Sequence, residues 1–340
     1  MKWQMLGCLV ILGMAAATAV AETPAPEARA TAAAETPAPA ARATAEPTHI
    51  TVVQAAILGA IQGLTEYLPV SSTGHLILAN YAMGLSAFSD RIGPLGRVIE
   101  ENEAVDAFDI ILHLGTFLAV LGLYRGRVLQ MLRGLAGRDP AGLRLLIALA
   151  IAFVPAAIFG FLGHHWITEN LYNPLTVAMA LAVGGAAMIV IEHYFGRSRN
   201  LAGRVTQVDA TLWRQALVIG LAQCLALWPG TSRSMVTILA GLVVGLDLLA
   251  AAEFSFLLAL PTIGAATAMT ALKHGHSIVQ AAGVDGMLVG LVVTTVVAAV
   301  VIKAFLKWLS GHGLTPFGIY RIALAGAVLM YFAWCGQKMW

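Results

Sequence analysis

PVSSTGH at residues 69–75 and PGTSRSMVT at residues 229–237 are two proline-headed polar strings in an otherwise apolar chain. Hydroxyls, a histidine and an arginine at membrane depth are expensive unless they act on something polar, so the strings mark the candidate site. Each string is also a break. Proline removes an N–H and clashes with the preceding turn, and Ser71, Ser72 and Thr73 are suited to cap a new helix whose apolar run begins at Leu76. Ser232 and Ser234 repeat that arrangement after Pro229. The stretches 50–85 and 212–246 therefore read as pairs of half-helices, each only about half a bilayer long, and so as re-entrant hairpins rather than crossings.

Outward from the breaks, apolar stretches at residues 105–124, 145–162, 175–192, 250–272, 286–302 and 317–334 are long enough to cross a bilayer. Composition agrees: 59% of the 340 residues are hydrophobic and 11% charged, against about half and about one quarter in soluble domains. The expected class is an all-α polytopic membrane protein. A formal charge of +2 gives no reason to expect nucleic acid as a partner. Cys8, Cys224 and Cys335 have no metal or disulfide spacing and read as small apolar fillers.

The first residues are of another kind. Lys2, an apolar run over 5–20 and Ala19-Val20-Ala21 make residues 1–21 signal-like, with an uncleaved anchor helix as the alternative. Residues 22–48 repeat ETPAPEARATA as ETPAPAARATA and have almost nothing to bury, so they are expected to be a disordered Pro/Ala/Thr linker. The membrane domain is expected over 49–340.

Loop charge orients that domain. Arg125, Arg127, Arg133, Arg138 and Arg144, then Arg197, Arg199, Arg204 and Arg214, then Lys303 and Lys307 all fall on one side, which the positive-inside rule makes cytoplasmic. The opposite loops are acidic or sparse. Each half, about 49–194 and 210–335, runs as a broken hairpin followed by three spans. AFDIILHLGT at 107–116 resembles EFSFLLALPT at 253–262. Three is odd, so the second half enters from the opposite face and the repeats are inverted, which sets the two breaks against each other at the midplane.

Two facing helix N-termini offer unpaired N–H groups and partial positive charge, an anion cradle. Arg233 adds a full charge with a planar fork suited to phosphate, so the ligand read from the residues is a phosphate or pyrophosphate. Gln62 and Glu66 are four apart on one helix face. A carboxylate beside phosphate must be protonated, act as a base, or hold a divalent cation that bridges to phosphate; the cation, Mg or Ca, is favoured, with Glu66 as its ligand. His75 is the histidine of the strings and the candidate general acid, base or nucleophile. Plainer readings stand beside these: Ser71, Thr73, Ser232 and Ser234 as caps, Ser72 and Thr237 as hydrogen-bonded glue between helices, and Glu66, His75 and Arg233 as a buried ionic cluster. Glu253, Tyr320 and Arg321 could reach the cavity, which the sequence does not decide.

With these residues in hand, the chain resembles the undecaprenyl-pyrophosphate phosphatase family of bacterial inner membranes, enzymes linked to bacitracin resistance. The resemblance runs from about His49 to the C-terminus on QGLTEYLPVSSTGH and LALWPGTSRSMVT, with FDIILHLGT and EFSFLLALP as further landmarks. It implies two inverted repeats, a site open to the periplasm, and hydrolysis of undecaprenyl pyrophosphate to undecaprenyl phosphate and inorganic phosphate, which recycles the lipid carrier for cell-wall synthesis. Carried onto this chain, the family's acidic motif falls on Gln62 and Glu66, its serine and histidine on Ser72 and His75, and its arginine on Arg233, with Ser232 and Thr237 nearby. Ser72 is the first choice of nucleophile, activated by His75 or Glu66; a directly attacking water, or His75 as nucleophile, is the alternative. Gln62 stands where the family often has glutamate and Met235 where glycine is common. Expected partners are the polyprenyl pyrophosphate, membrane lipid and, as an open option, a second copy in a homodimer. A transporter or flippase is the rival class, since inverted repeats with broken helices are also a carrier plan.

Overall fold

A computed structural model describes residues 50–93, 96–101, 103–171, 173–196 and 204–334, all within the unit His49–Trp340. The signal-like segment and the linker belong to the unit Met1–Thr48 and lie outside the described residues.

Helix α1 (Val52–Thr65) starts on a capping box, Thr51 Oγ1 accepting from the Gln54 N–H at 3.3 Å and Gln54 Oε1 from the Thr51 N–H at 2.9 Å. After the break at Pro69 the chain returns as α2 (Ser72–Ala82), so that Ile50 and Leu58 share one apolar cluster with Leu76 and Leu85. Next comes a two-stranded antiparallel hairpin, β1 (Ser86–Gly93) and β2 (Gly96–Glu101), with Ser86 opposite Glu101 and Gly93 opposite Gly96. It is a short addition to a chain that is otherwise helical, as the all-α class expected. Strand pairing there satisfies backbone groups that a bare connecting loop would leave to water.

The remaining elements are helices: α3 (Glu103–Leu123), α4 (Arg125–Leu135), α5 (Pro140–Leu171), α6 (Pro174–Ile191), α7 (Trp213–Gln223), α8 (Arg233–Val243), α9 (Leu248–Leu309) and α10 (Thr315–Trp334). Among the described residues four segments, Pro140–Gly163, Pro174–Phe195, Leu248–Met269 and Ala282–Leu309, are long and apolar enough to cross a membrane. Six were expected. The other two expected spans fall on α3 and α10, helices of 21 and 20 residues, about the length that a crossing needs.

Helix α9 holds two of the expected spans. Its 62 residues would reach about 93 Å if straight. Instead both arms lie along α3. Glu253 pairs with Arg127, just past the end of α3, and Gly264 rests on Phe117, whereas in the second arm Gly290 rests on Phe108 and Thr294 on Gly115. The two arms thus run in opposite senses. Between them Gly283 has φ 62°, a backbone that a side chain resists.

The two broken hairpins open at opposite ends of this bundle. Ile50 and Leu85, at the open end of α1 and α2, cluster with Val105 and Phe108 at the start of α3. At the open end of α7 and α8, Gln215 Nε2 donates to the Val244 carbonyl (2.9 Å). Asp209, just before α7, accepts from Gln130 Nε2 (3.4 Å), beyond the finish of α3.

Candidate active site

Both breaks end on the same device. Ser71 and Ser232 are the non-glycine residues with positive φ among the described residues, at 78° and 72°. Each is the N-cap of the next helix: Ser71 Oγ accepts from the Gly74 N–H (3.3 Å), and Ser232 Oγ from the Met235 N–H (3.4 Å). A serine held on that side of the backbone map costs about 1–3 kcal/mol, which surrounding contacts must offset. The helix leaving each cap is therefore fixed in direction. Ser72 and Arg233 are the first residues of α2 and α8.

These two residues meet at Glu66, the residue that closes α1. Ser72 Oγ donates to Glu66 Oε2 at 2.7 Å, and Arg233 Nη2 pairs with Glu66 Oε1 at 3.1 Å. Gln62 Nε2 also donates to Oε2 (3.2 Å), as the four-residue spacing predicts. The other arm of the Arg233 guanidinium donates to the Ser255 carbonyl at 3.0 Å, and its carbon lies 5.8 Å from the centre of the Tyr67 ring. Tyr67 is itself fixed by its hydroxyl on the Thr116 carbonyl (2.9 Å) and an edge contact with Phe256. Ser234 Oγ donates to the Leu68 carbonyl (3.0 Å) and lies 3.1 Å from Ser232 Oγ, stitching the second break to the first.

His75 faces elsewhere. Its Nδ1 lies 2.7 Å from the Ser71 carbonyl, which only accepts, so Nδ1 carries the proton. Nε2 of the neutral ring is then an acceptor, and the Tyr320 hydroxyl donates to it at 2.6 Å, the two rings lying nearly parallel. The partner of the Ser72 hydroxyl is Glu66. Thr73 is half-buried and its hydroxyl makes no hydrogen bond among the described residues. Thr237 Oγ1 is buried 2.8 Å from the Arg233 carbonyl and 2.7 Å from Ser255 Oγ, the geometry of helix glue rather than of a ligand contact.

The undecided residues separate. Glu253 is bound to Arg127 at 2.8 Å near the finish of α3, with Asp209 3.8 Å from the same arginine, and takes no part in the Glu66 cluster. Tyr320 reaches His75. Arg321 lies behind both breaks, donating from Nη1 to the Pro69 carbonyl (3.4 Å) and from Nη2 to the carbonyls of Gly230 (2.9 Å) and Ala180 (3.0 Å). A lone arginine in the apolar run of α10 was the signal available for it.

A divalent cation fits this chemistry in part. Among the described residues no group of three or more His, Cys, Asp or Glu side chains could hold a metal by itself. Gln62 Oε1, however, is fully buried with no hydrogen-bond partner, next to the Glu66 carboxylate that its own Nε2 binds. An amide oxygen and a carboxylate are hard oxygen donors of the kind Mg and Ca take, the rest of the shell coming from water or phosphate.

A family model described as Bacitracin resistance protein BacA matches residues 55–327. The chain is 46% identical over 276 residues to an undecaprenyl-diphosphatase of Sorangium cellulosum, covering 81% of this chain and 84% of that protein. It is 42% identical over 276 residues to an undecaprenyl-diphosphatase of Ectopseudomonas mendocina, covering 81% and 92%. It is 40% identical over 291 residues to undecaprenyl-diphosphatase 2 of Rhodospirillum rubrum, covering 86% and 98%.

Proposed function

The chain belongs to the BacA family of bacitracin resistance proteins, and from that premise we propose that it hydrolyses undecaprenyl pyrophosphate to undecaprenyl phosphate and inorganic phosphate. The observation that carries this reading is the meeting of Ser72 and Arg233, first residues of two distant half-helices, on the single carboxylate of Glu66.

In this reading the lipid tail stays among the spans while the diphosphate enters between the capped helix ends. Ser72 Oγ attacks the terminal phosphorus, and Glu66 Oε2, 2.7 Å away, takes the hydroxyl proton. The bridging P–O bond breaks with its electron pair on the leaving oxygen, which takes up that proton. The restored carboxylate then accepts a proton from the water that hydrolyses the phosphoserine and returns it to Ser72 as inorganic phosphate leaves. Arg233 and the helix ends stabilise charge on the phosphoryl group in transfer. We read His75 as exchanging protons with the phosphate through Nε2 rather than activating Ser72, since its Nδ1–H is committed to the Ser71 carbonyl. Ser71, Thr73, Ser232 and Ser234 shape the cradle, with Thr237 behind them. A Mg or Ca ion held by Glu66 and Gln62 Oε1 would neutralise phosphate charge when bound.

The same reading makes residues 49–340 one catalytic domain of two inverted repeats, 49–194 and 210–335, behind a signal-like segment and linker. The matched serine caps and the hairpins opening at opposite ends support it. The arginine-rich loops support an inner-membrane protein whose first hairpin, and so its site, opens to the periplasm.

The test is phosphate release by the purified full-length protein and by Glu66→Ala, Ser72→Ala, His75→Ala and Arg233→Ala, with and without divalent cation. A carrier without chemistry would release none in any of them. For orientation, an impermeant thiol reagent on intact cells should label Thr51→Cys but not Ala210→Cys, both exposed positions, in a cysteine-free background.

A further inference from the structure

Two breaks so far apart in the chain need something to hold them in register, and the contacts across the Glu66 cluster are themselves the ones a substrate would disturb. Arg321 lies behind that cluster. Its side chain is fully buried, it has no carboxylate within ion-pair distance among the described residues, and it reaches the Pro69 carbonyl in the first break and the Gly230 carbonyl in the second. Both carbonyls lie two residues before a strained cap, Ser71 or Ser232. A third bond, to the Ala180 carbonyl, ties the same guanidinium to α6. Its Nε is buried with no hydrogen-bond partner among the described residues, and a buried charge met only by backbone carbonyls at its two other nitrogens is a costly way to fill a core.

The seat for this arginine is built from glycine. A Cβ at Gly184 would stand 2.4 Å from Arg321 Nη2 and 2.9 Å from Met235 Sδ, and one at Gly185 would stand 2.6 Å from the Gly318 carbonyl. Helices α6 and α10 therefore meet backbone to backbone, and that close approach lets the guanidinium pass between them to the breaks. Lysine could carry the charge but not the planar fork that spans carbonyls on three elements.

We infer that Arg321 is a positioning residue for the hydrolysis, a clamp that sets the Ser72-bearing and Arg233-bearing breaks at a fixed separation, with Gly184 providing its seat. This rests on the phosphatase reading for its kinetic consequence but not for its geometric one. Its hydrogen bonds go to the Pro69, Gly230 and Ala180 carbonyls and not to Glu66, so it acts through the loops it holds.

The experiment uses the full-length protein in detergent with Arg321→Lys, Arg321→Met and Gly184→Ala. Each is assayed for phosphate release and, in a cysteine-free background carrying spin labels at the exposed positions Leu64→Cys and Leu221→Cys on the helices that lead into the breaks, for the distance distribution between the two hairpins. The clamp predicts a broadened distance in all three variants and a fall in kcat of about 100-fold with KM changed far less, the scale a small misplacement of reacting groups produces. Arg321→Lys with wild-type kcat and a wild-type distance would overturn it, since charge alone would then suffice. Loss of activity with an unchanged distance, or only through loss of the monodisperse folded protein while Gly184→Ala stays folded and fully active, would overturn it too. If the unaltered protein releases no phosphate, the phosphatase reading fails, and the distance measurement still decides the clamp.

Discussion

Ser71 and Ser232 adopt matching left-handed backbones, φ 78° and ψ 97° against φ 72° and ψ 112°, each one residue before the side chain that binds Glu66. Two distant parts of the chain thus spend the same conformational strain at the same place. Because each hydroxyl also caps its helix, strain and cap can be separated by substitution.

Glycine at either position relieves the left-handed backbone and loses only a few tenths of a kcal/mol of capping, whereas alanine keeps the strain and loses about 1 kcal/mol. Thermal unfolding in detergent should rank Ser71→Gly above Ser71→Ala, and Ser232→Gly above Ser232→Ala. Equal melting of the paired variants would show that the backbone there is not under load.

Glu66→Gln removes the acceptor for the Ser72 proton while keeping the side chain's shape. Phosphate release should fall by about 100-fold to 10,000-fold, the usual worth of a positioned general base. Ser72→Ala should abolish release and any acid-stable phosphoserine detected after rapid quenching. A serine variant with nearly intact rate would transfer the attack to water or to His75.

The unpaired Oε1 of Gln62 makes the cation requirement testable at one position. Gln62→Glu supplies a second carboxylate beside Glu66, and the protein should then need less Mg or Ca for half-maximal phosphate release after chelation. The measurement is a cation titration of both proteins, and an unchanged midpoint would remove position 62 from the cation site.

Tyr320 is 45% exposed and its hydroxyl holds His75 Nε2 at 2.6 Å. Tyr320→Phe keeps the stacked ring and removes one neutral hydrogen bond, so kcat/KM should fall by about tenfold or less. Tyr320→Ala, which also frees the imidazole to turn, should fall further. Wild-type kinetics for both variants would make this contact incidental.

The breaks were legible because proline followed by hydroxyls in an apolar run has few structural readings, and Ser72, Glu66 and Arg233 came with them. The β-hairpin Ser86–Glu101 was not, since its acidic residues read as a plain loop and pairing between strands depends on register that composition does not carry. Glu253 and Arg321 were equally visible as charges in apolar helices. Their separation, one to Arg127 and the other to the breaks, depends on which helices lie together, and the backbone contact at Gly184 and Gly185 that settles it looks in the sequence like two ordinary small residues. Thr237 shows the opposite case: it belongs to a recognisable string, yet its hydroxyl turns back on its own helix.

Arg233 is already engaged before any lipid arrives, with one arm on Glu66 and the other on the Ser255 carbonyl. A diphosphate entering between the helix ends has to draw that guanidinium toward itself. On the proposed mechanism, that displacement would take the positive neighbour away from Glu66 and leave its carboxylate to pull harder on the Ser72 hydrogen. On that mechanism the ion pair between Arg233 and Glu66 would hold the base in check until a diphosphate competes for the guanidinium.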